Sequence, residues 1–185
     1  MARSVTLIVE DGTIVPDANS FVTEDNIVAY AAMRGVTLPF TSDAEKDAVA
    51  ILGIKAADYL RIMPWRGEVV DVTQTMPWPR KNLNLATTTW PEDAIPPAVI
   101  EAQYQLTLLA NAGTVLIPTS TGIGYLIKEK IGPIENVYSE KVGVSSDGLP
   151  ILPGIAALLD PWLLGKTDGF VPVLIRSLGD RSYGV

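Results

Sequence analysis

Between two stretches with clear helical periodicity lies one with none. Residues 65–93 show no sustained apolar period, yet they carry three of the chain's four tryptophans together with Pro77, Pro79 and Pro91. Proline lacks a backbone donor and fixes φ, so neither a long helix nor a central strand can run through this stretch. One short strand at Val69-Val70-Asp71-Val72 is all the pattern allows. Long loops inside a compact domain are uncommon and usually serve a function or an interface. The 185-residue chain has no cysteine, so no disulfide can hold the loop. Its tryptophans must either anchor it or face a ligand.

The flanking patterns are helical. Thr23-Glu24-Asp25-Asn26 reads as an N-cap followed by acids that suit the positive end of a helix, and Gly35 is the expected stop. Ser42-Asp43-Ala44-Glu45 matches a capping box. Ala48, Val49, Leu52, Ala56, Tyr59, Leu60 and Met63 then recur at helical spacing, with Asp47, Lys55, Asp58 and Arg61 on another face, until Pro64 ends the run. After the loop, Pro97 suits the first position of a third helix that extends to about Ala112 and stops at Gly113. Leu106 to Ala110 is uncharged, which predicts the most buried helix. Before all of these, Ser4-Val5-Thr6-Leu7-Ile8-Val9 reads as a strand ending in the turn signal Glu10-Asp11-Gly12.

Composition removes whole classes of chemistry. With neither cysteine nor histidine, thiol nucleophiles, iron–sulfur clusters, Ser-His-Asp triads and most transition-metal sites are excluded. Asp43, Glu45 and Asp47 do not converge at helical spacing, and Gly165-Lys166-Thr167 lacks the preceding glycine and strand of a phosphate-binding loop. No catalytic, cofactor-binding or metal-ligating residue emerges, and an enzyme is not expected. Residues 1–9 are too short for a signal peptide, and residues 149–164 are broken by Pro150, Pro153, Asp160 and Pro161. A soluble protein made in a reducing cytoplasm, with no membrane partner, is therefore expected. The net charge of −7 argues against wrapping duplex DNA.

Beyond residue 113, Tyr125, Leu126 and Ile127 open one extended segment; Ile134, Val137 and Tyr138 belong to a second, bent from the first at Gly132-Pro133. Residues 149–185 are apolar and punctuated by glycine and proline, with one helical candidate at 155–164. The expected organisation is mainly α: a small helical bundle with a β arm or hairpin at 1–145, and a C-terminal apolar tail at 146–185.

One constellation suggests a ligand. Arg61, Arg66, Arg80 and Lys81 face only Glu68 and Asp71 across residues 61–81, a local excess of two positive charges in an acidic chain. Trp65 beside Arg66 and Trp78 near Arg80 resemble a single-stranded-DNA surface, where bases stack on aromatic rings and cations meet phosphate. In the plainer reading these tryptophans fill the core under the loop and the arginines bond carboxylates or loop carbonyls. Four cations are few for a phosphate track, which favours the plainer reading.

The order of several short motifs is familiar. Asn19-Ser20-Phe21-Val22-Thr23 leading into a helix with Tyr30, Ala56-Ala57-Asp58-Tyr59-Leu60, Trp65-Arg66-Gly67, Gln74 with Pro77-Trp78-Pro79-Arg80, Ile95-Pro96-Pro97-Ala98-Val99 with Ala102-Gln103, and Glu129-Lys130-Ile131-Gly132-Pro133-Ile134 stand in sequence. This order resembles the head–tail adaptor, or connector, proteins of tailed bacteriophages, in the subgroup labelled as having a DnaT-like single-strand-binding domain. The resemblance spans residues 18–138. It implies a homo-oligomeric ring, typically of twelve copies, docked under the portal protein and offering a surface to a tail or head-completion protein. Duplex DNA would pass through the ring without specific binding. Such a subunit would be assembled in the host cytoplasm and end in the virion. Like charge along a lumen would keep DNA from adhering. Tyr125, Leu126, Ile127, Ile134, Val137 and Tyr138 on the arm, and Trp162, Phe170, Val173, Leu174 and Ile175 on the tail, are the candidate contacts with portal, tail or neighbour.

Overall fold

The computed structural model describes residues 3–85, 88–117, 128–131, 134–137, 150 and 152–164. Its body is helical. α1 (Glu24–Met33), α2 (Asp43–Arg61) and α3 (Pro97–Asn111) pack on one another, and a shorter α4 (Pro153–Leu159) closes against α3. Three antiparallel pairs of strands complete it: β1 (Glu68–Val69) with β2 (Arg80–Lys81), β3 (Asn84–Leu85) with β4 (Thr88–Thr89), and β5 (Lys128–Ile131) with β6 (Ile134–Val137). The expected mainly α bundle with a β hairpin is what the chain forms. Among the described residues no helix is long and apolar enough to cross a membrane.

The helix starts follow the sequence signals. The Thr23 hydroxyl accepts from the Asn26 N–H. Ser42 and Glu45 form the reciprocal capping box, and Pro97 opens α3. α2 and α3 bury Val49, Leu60, Val99 and Leu106, each contributing about 1.5–3 kcal/mol by leaving water. The stripe on α2 is shifted from the expected one: Ala50, Gly53 and Ala57 are buried, whereas Ala48 is exposed and Leu52 half-buried. Small residues let α2 approach its neighbours closely, and apolar spacing alone does not register them.

One buried polar side chain ties three segments together. Gln103 on α3 donates from Nε2 to the Ser20 hydroxyl (2.7 Å) and the Gly53 carbonyl (3.1 Å), while its Oε1 accepts from the Phe21 N–H (2.7 Å). Nearby, the Tyr30 and Tyr104 rings stack with centroids 4.5 Å apart, and the Arg34 guanidinium lies 3.5 Å above Tyr30. The Tyr30 hydroxyl donates to Glu101, and burial followed by that hydrogen bond pushes its pKa up to about 12.

Two expectations are corrected. Ser4 to Val9 forms no ladder, only a single bridge between Val9 and Ser20. The Asn19 side chain takes the Ile8 N–H and the Thr6 carbonyl, the groups a neighbouring strand would have used. Nor is α3 the most buried helix, since α2 buries Val49, Ala50, Gly53, Ala56, Ala57, Tyr59 and Leu60, seven residues against five on α3. Burial on α3 centres on Val99, Ala102, Gln103, Leu106 and Thr107, whereas Leu108, Leu109 and Ala110 are half-buried.

The helical candidate near the C-terminus is present, as α4 followed by one 3-10 turn, Asp160–Trp162. It lies within the expected tail, yet Ile155 and Leu159 are buried in the body's core. Residues 152–164 therefore act as a clasp on the bundle.

Candidate nucleic-acid interface

The loop after α2 is built from the inside. The Trp65 indole N–H donates to the Leu60 carbonyl (2.7 Å), which also accepts from the Met63 N–H in the turn that ends α2. Trp65 meets Trp78 edge-to-face at 5.7 Å, and Trp78 meets Trp162 the same way at 5.8 Å. Trp162 in turn meets Trp90 at 4.8 Å. All four tryptophans of the chain thus form one interlocked row, in the geometry favoured by the ring quadrupole. Trp78 is 0% exposed and Trp65 5%. Neither ring offers a face on which a base could stack.

The cations are engaged as well. Arg80 donates from Nε to the Arg66 carbonyl (2.6 Å), and from its two terminal nitrogens to the Gly67 (2.7 Å) and Pro77 (3.1 Å) carbonyls. Burial lowers its pKa from the usual arginine value, but a guanidinium remains protonated. A half-buried charge satisfied by three carbonyls is a fixture of the loop. Arg61 pairs with Asp58 and also donates to the Ala18 carbonyl. Arg66 is half-exposed, and its guanidinium makes one long contact with the Pro161 carbonyl (3.4 Å). Of the four residues expected to contact single-stranded DNA (Trp65, Arg66, Trp78 and Arg80), only Arg66 presents its polar group toward water.

The remaining loop contacts explain why the chain can close here. Gly67 has φ of +70°, and a Cβ there would lie 2.6 Å from the Lys81 carbonyl oxygen, so only glycine permits the β1–β2 approach. Gln74 donates to the Met76 and Pro79 carbonyls and accepts from the Asp71 N–H. The clasp closes from outside: the Arg66 N–H donates to the Trp162 carbonyl (2.9 Å), and the Leu164 N–H to the Pro64 carbonyl (2.7 Å). At the tip of the 70–75 turn, Val72 stands 92% exposed.

The other candidate contacts divide in two. Trp162, expected as an anchor for a partner, is half-buried in the row of its own chain. Ile134 and Val137 lie on β6. Tyr125, Leu126, Ile127, Tyr138, Phe170, Val173, Leu174 and Ile175 fall outside the described residues. Sequence reasoning met Gln74 and Gln103 only as members of short family motifs and gave neither a role in the fold. Their signal is weak, a lone amide among apolar residues or within a loop.

Fold and loop together define a small helical body whose long connection is clamped by tryptophan and arginine, with a β-hairpin arm. A family described as "Putative DnaT-like ssDNA binding protein" matches residues 5–177. The chain belongs to that family. The match bears out the DnaT-like part of the resemblance and extends it well past residue 138; it does not speak to the head–tail adaptor part. No curated protein and no solved structure matches the chain.

Proposed function

We propose that this chain is a non-enzymatic assembly subunit, a head–tail connector that forms a ring, of about twelve copies by family resemblance, on a portal protein and receives a tail or head-completion protein. The observation that carries this reading is the β5–β6 hairpin. It is a two-stranded sheet of four residues per strand, and no further strand pairs with either outer edge among the described residues. An isolated two-stranded hairpin is marginal in water, and open edges are templates for another chain. Exposed Ile8, Met33, Ile62 and Val72 add apolar surface of the kind an assembly covers.

Family membership favours a second reading, binding of single-stranded DNA, and supports it more directly than it supports a connector. Any such contact must use a surface other than the rings of Trp65 and Trp78. Sedimentation of the chain alone and with isolated portal rings separates the two. A complex of defined, multiple stoichiometry on the portal is expected. A chain that ignores the portal and instead binds unpaired oligonucleotide in a salt-sensitive way would replace the connector with the second reading.

A further inference from the structure

The last turn of the clasp meets the loop, and there it presents what an unpaired nucleotide would present. The Trp162 ring lies against Trp90, with centroids 4.8 Å apart. One residue earlier, the Pro161 carbonyl accepts from the Arg66 guanidinium at 3.4 Å. An aromatic ring next to an oxygen acceptor, set against an aromatic side chain and an arginine, is the arrangement by which bases and phosphates are held. For the arginine the fit is poor. A guanidinium bonds best to an anionic oxygen at about 2.7–2.9 Å, whereas Arg66 reaches one distant neutral oxygen among the described residues. Lys81, whose carbonyl Gly67 closely approaches, is placed alike: its ammonium donates to the Val70 carbonyl at 3.4 Å. The clasp is also built to let go. α4 is seven residues long, has no side-chain cap at its start, and carries Pro153 and Gly154 in its first turn. A helix this short does not persist without packing, so it keeps its form only while Ile155 and Leu159 are seated in the core.

We propose that the clasp is an autoinhibitory element: residues 160–164 occupy a binding site for a single strand of nucleic acid, with Trp162 in the place of a base against Trp90 and the Pro161 carbonyl in the place of a phosphate on Arg66. The inference rests on the single-strand reading above, and adds to it where the strand sits and what keeps it out. When the clasp lifts, Trp90 offers a ring and Arg66 and Lys81 offer charge, while Trp65 and Trp78 stay beneath as the loop's core. The backbone bonds that hold the clasp here, from the Arg66 N–H to the Trp162 carbonyl and from the Leu164 N–H to the Pro64 carbonyl, pass to water on opening. The positive excess across residues 61–81 of an otherwise acidic chain favours a polyanion over an aromatic peptide as the competing ligand. With the clasp shut in the resting chain, affinity for the strand is reduced by the fraction of molecules that stand open.

Anisotropy of a labelled single-stranded oligonucleotide at low salt tests this on the full chain. Trp162→Ala empties the place against Trp90 and is expected to bind at least about tenfold more tightly than the parent, a gain that Arg66→Gln in the same chain removes. A second pair of measurements needs no destabilising change. Pro64→Cys with Leu164→Cys, in a chain without cysteine of its own, bolts the clasp shut when oxidised, and that form should bind severalfold more weakly than the same chain reduced. Equal binding by the parent and Trp162→Ala, or by the oxidised and reduced forms, would overturn the inference and leave the single-strand reading standing. No binding by any of them removes both. A gain for the peptide Asp-Pro-Trp-Leu-Leu and not for the oligonucleotide makes the seat a peptide site and overturns the assignment as well.

Discussion

The bundle of α1–α3 and the loop between α2 and α3 are held by different means. In the bundle, apolar side chains at helical spacing face one another and a single amide, Gln103, joins the segments. In the loop there is no period. Aromatic edges and a guanidinium take its place, and Trp162, which joins Trp78 to Trp90 in the row, arrives from the clasp near the other end of the chain. The same residue types that would grip a nucleic acid can serve as a loop's private core. Burial tells the two uses apart; composition does not.

The contrast can be broken most strongly at its centre. Trp78→Ala removes the fully buried ring that joins Trp65 to Trp162, and should cost about 3–5 kcal/mol in denaturant unfolding. Hydrogen exchange should then rise in the loop and the clasp together; a change confined to the loop would mean the row does not couple them. Gln103→Leu strikes the bundle instead. It leaves the buried Phe21 N–H without its partner and removes the ties to Ser20 and α2, for about 1–3 kcal/mol, with exchange in the 66–81 loop nearly unchanged. Arg80→Met strands three carbonyls, for about 2 kcal/mol, and should loosen the β1–β2 pairing while the helices keep their far-ultraviolet dichroism. Ser42→Ala opens the cap of α2 and should lower stability by about 1 kcal/mol.

The smallest effect is in acid. Glu45 has a pKa of about 2, held down first by the Thr41 hydroxyl and then by the Ser42 and Thr41 N–H groups, and Asp47 is held at about 2 chiefly by Ser4. Both values lie below those of the unfolded chain, so the folded protein binds fewer protons. Their contribution is complete above about pH 5 and fades as pH falls toward 2. Glu45→Gln should flatten the stability profile across that window, as read by denaturant midpoints.

Much of the bundle was legible because its signals are local. Thr23, Ser42 and Pro97 sit within a turn of the backbone groups they serve, and Gly35 and Gly113 adopt the positive φ that ends a helix. The tryptophan row was not, because an edge-to-face pair between Trp78 and Trp162 leaves no pattern in either neighbourhood. The candidate interface was legible in residue type and wrong in orientation: Trp65, Trp78 and Arg80 point inward, as the plainer reading had them. The uncharged half of α3 carried a true signal read too narrowly. Lack of charge marks an apolar surface but not its depth: Leu108 and Leu109 pack against the edge of the core and stay half-buried.

The central claim, that the aromatic loop is architecture, is tested most directly by titrating the protein with a single-stranded oligonucleotide at low salt while following tryptophan emission. The account predicts no quenching and no spectral shift, because Trp65 and Trp78 are closed to bases. Saturable quenching that weakens with added salt and disappears in Trp65→Phe or Trp78→Phe would contradict it.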